Sequence, residues 1–326
     1  MKRKIFISLI ISFIIVLAYN VQARAEIDIT RITTNSYEDS FPCVKDNSLV
    51  WQGHVNGHWQ IFLYNIEDGR TTRITNNNYD SIAPRTDGEY VVWFGACNQG
   101  GEVFQYNIAT GQTTKITNDT NVDSPPRIAS GRVVWASHVV GDSVVEPGEI
   151  NLFEIGGSSV QLTTNSLDDC STQINSQFVV WLQIDENDNS TLFWYPLPDG
   201  SAEPAPEDFI WKDSPQTDGD LTVSMRNDGS DWEIIVSKDG ENGFDQVTDN
   251  TINDRDPCIS GNNIAWMGGE GKDSEIYLAT YAAAVCYGDF DKDGDVDGSD
   301  LAGFVHGNLS KFAENFGKTD CIQPPL

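Results

Sequence analysis

The chain is poor in basic residues. Lys and Arg number 20 against 49 Asp and Glu, which gives a formal net charge of −29 at pH 7. Nucleic acids and anionic membrane surfaces are bound chiefly through Lys and Arg, which neutralise their phosphates. The balance therefore predicts no nucleic-acid partner and favours a soluble protein that attracts divalent cations or basic partners.

Histidine and the common catalytic motifs are also scarce. There are 4 His in 326 residues, and the chain has neither a Gly-x-Ser-x-Gly elbow nor a His-Glu-x-x-His zinc motif. His54 and His58 share one predicted hairpin, but two His without a third ligand are more typical of a solvent-exposed loop than of a metal site. A pair of carboxylates could cleave a glycosidic bond, but 49 acidic residues single out no pair. No catalytic residue is assigned, and a non-enzymatic role is favoured while an enzymatic one stays open.

Apolar runs long enough to cross a membrane are lacking. The run Ile5–Ala18 has about 14 residues, and a membrane-spanning helix needs about 20. Basic residues Lys2–Lys4 precede this run, and Ala23-Arg24-Ala25 supplies a small-x-small cleavage site after it. This pattern is typical of a secretory signal peptide. We expect cleavage after Ala25 and an exported protein, either secreted or held in the periplasm or at the cell surface.

What the chain has in abundance is a repeated phrase. The phrase begins with Asp and Pro, continues into a Val-Val-Trp strand and an Ile-Phe-Leu-Tyr strand, and ends with a Gly turn and Ile-Thr, and its copies are imperfect. The first clear copy runs from Asp39 to Thr75, and the period of roughly 40 to 46 residues is that of a four-stranded propeller blade. Further copies begin at Asp80, Asp123, Asp168, Asp213 and Asp254.

The repeat predicts an all-β fold with a core between neighbouring blades. A single blade cannot bury both faces of its sheet, so residues at matching positions must pack between adjacent copies. The residues predicted to form this core are Trp51, Trp93, Trp135, Trp181 and Trp266.

The fifth copy departs from the pattern. It has Leu221–Ser224 where a Trp is due, and it carries an acidic hairpin turn in Arg226–Ile234. Together with Ser237–Gly240 and Gln246–Asn250, this turn resembles the repeat of TolB-type, WD40-like six-bladed propellers. The resemblance covers about residues 27 to 281 and implies a six-bladed β-propeller.

The same resemblance bears on function. In that family the propeller is generally a platform for protein or peptide binding, and in some relatives it accompanies a hydrolase domain or carries a lyase site. The α/β domain that precedes the propeller in TolB has no counterpart before the first copy here. Acidic hairpin tips such as Asp185–Asn189 could bind calcium or sugar, but their residues are also those that ordinary turns contain.

The N-terminal strand should complete the last blade. Ile27–Thr33 has the form of the Ile-Thr strand that ends the other copies, but no preceding strands of its own. The last copy ends at Glu275–Leu278 without such a strand. We therefore expect Ile27–Thr33 to be the outer strand of the sixth blade, which removes an open edge.

The chain has 6 Cys, which in an exported protein are compatible with disulfides, although the count alone allows 15 pairings. Cys43 and Cys258 each follow the Pro of their copy, in blades that become neighbours on closure. They could form a bridge, or they could lie beyond the roughly 7 Å limit between Cα atoms. Cys97 and Cys170 occupy non-equivalent points, so two free thiols and a bridge both stay open.

The C-terminal segment holds a metal-binding motif. From Asp289 to Asp300, oxygen donors fall at positions 1, 3, 5 and 12 of a loop with Gly294 at position 6. This spacing predicts calcium ligation, because calcium takes six to eight oxygens and the Gly permits the sharp turn around it. The expected ligands are the side chains of Asp289, Asp291 and Asp293, the backbone carbonyl of Asp295, a water held by Asp297, and the closing carboxylate of Asp300.

This loop differs from the standard EF-hand in two ways. It closes with Asp rather than Glu, and a strand rather than a helix leads into it. Gly288–Leu301 therefore resembles the dockerin-type calcium repeat, followed by an exit helix with one apolar face. A dockerin resembles two such repeats and this chain has one, so a small calcium clasp is favoured over a cohesin-like partner. An acidic turn without an ion is the remaining alternative.

These observations give three segments and two functional readings. The segments are a signal peptide at 1–25, a six-bladed propeller at 26–283, and a calcium loop with a helix at 284–326, bracketed by the plausible pair Cys286 and Cys321. The favoured function is a monomeric, non-enzymatic scaffold that binds a protein, a peptide or a glycan at the propeller rim. The alternative is a polysaccharide-active lyase or hydrolase, with its site at the mouth of the propeller channel.

Overall fold

The computed structural model describes residues 26–97, 100–139, 147–198, 200–205, 216–238 and 243–282. Ile29–Ala279 forms one compact unit, and Met1–Asp28 with Thr280–Leu326 forms another, of which only residues 26–28 and 280–282 are described. The predicted signal peptide, calcium loop, exit helix and the pair Cys286 and Cys321 lie outside the described residues.

The described chain is almost entirely β-structure. Its one helical turn is the short 3-10 segment Gly271–Asp273. The strands of the first half are β1 (Glu26–Arg31), β2 (Asp39–Lys45), β3 (Ser48–Val55), β4 (His58–Asn65), β5 (Arg70–Arg73), β6 (Ser81–Thr86), β7 (Tyr90–Gly95), β8 (Glu102–Asn107), β9 (Gln112–Lys115), β10 (Val122–Asp123), β11 (Arg127–Ala129), β12 (Arg132–His138) and β13 (Glu149–Glu154). Those of the second half are β14 (Ser159–Gln161), β15 (Asp168–Ile174), β16 (Phe178–Ile184), β17 (Ser190–Pro196), β18 (Glu203–Pro204), β19 (Gln216–Asp218), β20 (Leu221–Asn227), β21 (Trp232–Lys238), β22 (Asp245–Gln246), β23 (Asp254–Ser260), β24 (Asn263–Gly268) and β25 (Glu275–Ala282).

These strands form six sheets, numbered here in chain order. The first is β2-β3-β4-β5, the second β6-β7-β8-β9, the fourth β15-β16-β17-β18 and the fifth β19-β20-β21-β22. The third is β10-β12-β13-β14, with β11 also paired to β12. The sixth is β1-β25-β24-β23, so that the N-terminal strand lies at its edge, as the sequence predicted. Ile32 donates its backbone N–H to the carbonyl of Ile276 at 2.8 Å there.

Each repeated Trp lies in the middle of its sheet. Trp51 is 1% exposed and stacks on Phe62, which faces it across β3 and β4, with ring centroids 5.5 Å apart. Its indole N–H donates to Asp39 on β2 at 3.0 Å. The equivalent indole bonds are Trp181 to Asp169 and Trp266 to Asp254. All five predicted Trp residues are buried, which confirms that part of the core.

The core lies between consecutive sheets. One cluster joins the first sheet to the sixth, with Trp51 and Phe62 against Ile276 and Leu278. Three further clusters join the first sheet to the second, the second to the third and the third to the fourth. Four-stranded antiparallel sheets that pack face to face in chain order are the architecture of a β-propeller.

Candidate functional site

A backbone irregularity recurs in the first strand of four sheets. The pairing register shifts between Ser40 and Cys43 on β2, and equivalent shifts occur on β6, β15 and β23. Each shift contains a residue with left-handed backbone: Phe41 at φ 54°, Ala83 at 53°, Ser171 at 56° and Asp256 at 53°. A non-glycine residue in this region is strained, and bulges of this kind re-aim the side chains that follow.

The first strands of five sheets and β11 of the third sheet together line a cavity of about 850 Å³. In each sheet, the residue directly after the bulge or the Pro is paired across the sheet with the residue just before the Trp position. Examples are Cys43 with Val50 and Arg85 with Val92. The cavity therefore receives one equivalent residue from every sheet. These six residues, called the cavity set below, are Cys43, Arg85, Arg127, Gln173, Gln216 and Cys258.

The cavity is positive inside a strongly negative chain. It is lined by two arginines and by one carboxylate, that of Asp256, among the described residues. Arg127 donates from Nε to Gln173 at 3.1 Å and from Nη1 to the carbonyl of Pro126 at 3.3 Å. Arg85 donates to the carbonyl of Pro84 at 2.8 Å. Within the described ranges no carboxylate forms an ion pair with Arg85, so its guanidinium retains donors for a ligand.

Apolar side chains surround this polar centre. Phe41, Met225 and Trp232 line the cavity and are 46%, 40% and 38% exposed. Large apolar side chains that are exposed to water in a concave surface are typical of a binding site. The cavity thus combines anion-binding donors with apolar contact area.

Two cysteines of the cavity set are in contact. Cys258 accepts from the backbone N–H of Val44 at 3.3 Å, and its S–H lies 3.7 Å from the carbonyl of Val44. A hydrogen bond from Cys258, with the positive charges of Arg85 and Arg127, lowers the pKa of the Cys43 thiol, whereas the pKa of Cys258 is raised well above its ordinary value. Both residues are free thiols, so the bridge considered from the sequence is not formed, and Cys97 and Cys170 are free as well.

Pairs of buried carboxylates lie between sheets, away from the cavity. Burial raises the pKa values of Asp39, Asp123 and Asp254 to about 6. A Glu of the preceding sheet acts in the same direction at each site, as Glu275 does on Asp39. Asp39 also accepts from Asn35 at 2.6 Å and from Trp51, which identifies it as a structural acceptor rather than an acid–base group. None of the three Asp residues lines the cavity.

One acidic group among the described residues could hold a metal ion. The carboxylates of Asp228, Asp231 and Glu233, at the hairpin between β20 and β21, offer ligand oxygens within 4.8 Å of one another. Asp231 is 6% exposed, and one of its carboxylate oxygens lacks a hydrogen-bond partner. The calcium ligands predicted from the sequence, Asp289, Asp291, Asp293, Asp295 and Asp300, lie outside the described residues.

The described histidines lie elsewhere. His58 contacts the carboxylate of Asp80 at 3.3 Å, and the ring of His54 lies 5.0 Å from that of Trp59. His138 contacts Asp168 at 3.1 Å. None of these three lines the cavity. Sequence reasoning did not find the cavity set, although a signal existed: in five of the six copies a Pro directly precedes the member of the set.

Within the described ranges, no helix combines the length and the apolar character that crossing a bilayer requires.

No protein-family model and no curated protein matches the chain. Among solved structures it is similar to an oligogalacturonate lyase from Vibrio parahaemolyticus, with a TM-score of 0.57 and 10% identity over 79% of this chain and 97% of that one. It is also similar to TolB from Acinetobacter baumannii, with a TM-score of 0.48 and 17% identity over 71% of this chain and 59% of TolB.

A third similarity is to the β-propeller domain of the Trilobed protease from Pyrococcus furiosus, with a TM-score of 0.42 and 13% identity over 77% of this chain and 84% of that one. The chain spans 59% of the length of the TolB that it matches. These neighbours include both TolB and enzymes, and what they share with this chain is the fold. The described part of the chain is nearly all β and has the β-propeller fold.

Proposed function

We propose that this chain is an exported, non-enzymatic binding protein, whose six sheets close into a six-bladed propeller and whose cavity takes an acidic peptide segment. The observation that supports the proposal is the placement of Arg85 and Arg127 in one cavity of a chain with a formal charge of −29. A guanidinium binds carboxylates through paired, charge-assisted hydrogen bonds. The negatively charged exterior repels an acidic peptide from the rest of the surface, so the electrostatic field of the protein directs the peptide to the cavity.

A peptide fits the cavity better than a polysaccharide does. Phe41, Met225 and Trp232 supply apolar and adaptable contact area beside the arginines. A peptide that carries both carboxylates and apolar side chains satisfies both parts of the lining at once. The volume of about 850 Å³ accommodates a few residues of an extended chain.

The first test replaces the two arginines. We expect Arg85→Gln and Arg127→Gln each to weaken the binding of an acidic, Phe-containing peptide by about tenfold or more, because each change removes charge-assisted hydrogen bonds. Binding is measured by calorimetry on the mature protein, with a peptide library that varies the number of carboxylates. Arg132→Gln is the matched control, because Arg132 pairs with Glu154 outside the cavity.

Equal binding of acidic and amidated peptides would contradict the acidic ligand. Unchanged affinity in the double variant would contradict the cavity as its site. Loss of affinity in Arg132→Gln to the same extent would show that the effect is one of general charge.

The polysaccharide-active enzyme is the second candidate, because the same two arginines could bind the carboxylates of uronic acid residues. It lacks a clear acid–base partner, since the described lining residues include one carboxylate, that of Asp256, and no histidine. Incubation with oligogalacturonate decides between the two. Formation of an unsaturated product, seen by ultraviolet absorbance, would replace the binding proposal with a lyase.

We further propose that residues 284–326 bind calcium through Asp289, Asp291, Asp293, Asp295 and Asp300. The spacing of the donors supports this, and so does their chemistry, since all are oxygens. The ion would order a small clasp, with a cohesin-like partner as the less favoured role. Export after cleavage at Ala25 would place the monomer in the periplasm, at the cell surface or outside the cell.

Calcium titration tests the C-terminal loop against the hairpin group. By calorimetry, we expect one strong site in the mature protein and its loss in the double variant Asp289→Ala, Asp293→Ala, because both carboxylates are predicted ligands. Asp231→Asn should keep that site. The melting temperature should rise in calcium relative to chelator in the mature protein. If Asp231→Asn removes the site and the double variant keeps it, the ion is held by Asp228, Asp231 and Glu233 instead.

A further inference from the structure

Two members of the cavity set bring thiols together from distant parts of the chain. Cys43 lies on β2 of the first sheet and Cys258 lies on β23 of the sixth, and both line the cavity. Cys258 packs against the cluster that contains Cys43, and its sulfur lies 3.3 Å from the backbone N and 3.7 Å from the carbonyl O of Val44, the residue that follows Cys43. The packing between the first and sixth sheets therefore fixes the two sulfur atoms as a pair.

The surroundings of the pair favour a reactive thiolate. A thiolate is the nucleophile in disulfide exchange, and positive charge or a donated hydrogen bond stabilises it. Cys43 receives both, a hydrogen bond from Cys258 and the positive charges of Arg85 and Arg127, and its pKa is lowered. The hydrogen bond to Cys43, burial and the negative charge of the Cys43 thiolate raise the pKa of Cys258. The sheet that carries Cys43 packs both on the sheet of Cys258 and on the sheet of Arg85, so Cys43 stands between the second thiol and an arginine. On this placement the attack belongs to Cys43 and the second step to Cys258.

We infer that Cys43 and Cys258 form a thiol–disulfide exchange site, whose substrate is a small disulfide that carries carboxylates. The inference rests on the proposed function in one respect, because the same arginines attract the acidic groups of either ligand. It goes beyond that function because the ligand is consumed. Cys97 and Cys170, the other described cysteines, do not line the cavity.

The exchange proceeds in two balanced steps. The Cys43 thiolate forms a bond to one sulfur of the disulfide, the original S–S bond breaks, and one thiolate leaves and takes a proton from water. Cys258 then gives its proton to water and attacks Sγ of Cys43, which expels the second thiolate. This second thiolate also takes a proton from water, so the small disulfide gains two electrons and two protons and becomes two thiols, while the protein loses two electrons and gains a Cys43–Cys258 bridge.

The product would tie β2 to β23. These strands belong to the two sheets that meet where the first sheet packs on the last, so the bridge would close a loop of more than two hundred residues, with |i−j| of 214 between Val44 and Cys258. Such a cross-link reduces the entropy of the unfolded chain. Oxidised protein should therefore melt at a higher temperature than reduced protein.

The experiment uses the reduced mature protein and two aromatic disulfides. Dithiobis(nitrobenzoate) carries two carboxylates, whereas dithiodipyridine is uncharged. We expect the charged reagent to produce the Cys43–Cys258 bridge, identified by mass spectrometry of proteolytic fragments. Cys258→Ser should stop at a mixed disulfide on Cys43, and Cys43→Ser should leave Cys258 largely unreacted. Cys97→Ser is the control and should behave as the unchanged protein does.

The arginine variants separate this inference from the proposed function. Arg85→Gln with Arg127→Gln should slow the charged reagent about tenfold more than the uncharged one. If the bridge forms equally fast with both reagents, the thiol–disulfide exchange site is supported but the preference for an acidic ligand is contradicted. The proposed function, which depends on that preference, is then contradicted as well. Independent adducts on Cys43 and Cys258 without a bridge, or a faster reaction at Cys97 or Cys170, would overturn the exchange site even if acidic peptides bind.

Discussion

Trp51→Ala is expected to lower the free energy of unfolding by about 4 kcal/mol, a large part of the 5–15 kcal/mol typical of a protein of this kind. Trp51 is 1% exposed and stacks on Phe62 between the first and sixth sheets, so truncation leaves a large cavity there. It also removes the donor to the buried carboxylate of Asp39. Urea denaturation of the mature protein measures the change.

A matched pair of Phe variants isolates the hydrogen bond from the packing. Trp93 occupies the same place in the second sheet and stacks on Phe104 at 5.6 Å. Its indole N–H lacks a hydrogen-bond partner among the described residues, because Ser81 stands there in place of the Asp. Trp51→Phe should therefore cost roughly 1 to 2 kcal/mol more than Trp93→Phe. Equal costs would show that the bond from Trp51 to Asp39 adds nothing to stability.

The second large effect is a rise in stability as the pH falls from 7 to 5. The pKa values of Asp39, Asp123 and Asp254 are about 6 in the folded protein, against about 3.9 for an unperturbed Asp. The folded protein thus binds protons more tightly than the unfolded chain does. The stabilisation is complete below the unfolded pKa and is lost as the pH rises through 6. Each group should contribute about 1 kcal/mol between pH 7 and 5.

Melting curves at the two pH values measure this change, which should amount to several degrees. Asp39→Asn should reduce it, because the neutral amide has no proton to gain in this range. Glu186→Gln is the control, since Glu186 lies in an exposed hairpin. A melting temperature that falls between pH 7 and 5, or an equal slope in both variants, would contradict the assignment to buried carboxylates.

The sequence predicted the strands better than it predicted the site. The repeated Val-Val-Trp phrase marks β3, β7, β12, β16 and β24, because a run of β-branched and aromatic residues suits a strand that is buried between sheets. The partial copy at Ile27–Thr33 predicted β1 at the edge of the sixth sheet. The last copy lacks its outer strand, so its final strand would otherwise have an unpaired edge. The fifth sheet, where Ser224 replaces the Trp, was recognised by its hairpin turn.

The cavity set was not predicted, although five of its six members directly follow a repeated Pro in the sequence. In the amino-acid sequence alone, nothing connects Arg85 with Arg127. The bulge at Ala83 and its equivalents re-aim the chain, and pattern alone does not reveal a left-handed residue at a non-glycine position. The three described histidines, which the sequence analysis did consider, lie outside the cavity.

The sequence by itself determined the number and kind of repeated units and the Trp core, because local periodicity sets which face of a strand is apolar. The tertiary structure decided that one residue from each of the six sheets meets in a single cavity, that Cys43 lies against Cys258, and that Asp39 approaches Glu275. The physical reason is that these neighbours belong to different repeats. Their distances depend on how sheets pack on one another, which is a property of the whole chain rather than of any single copy.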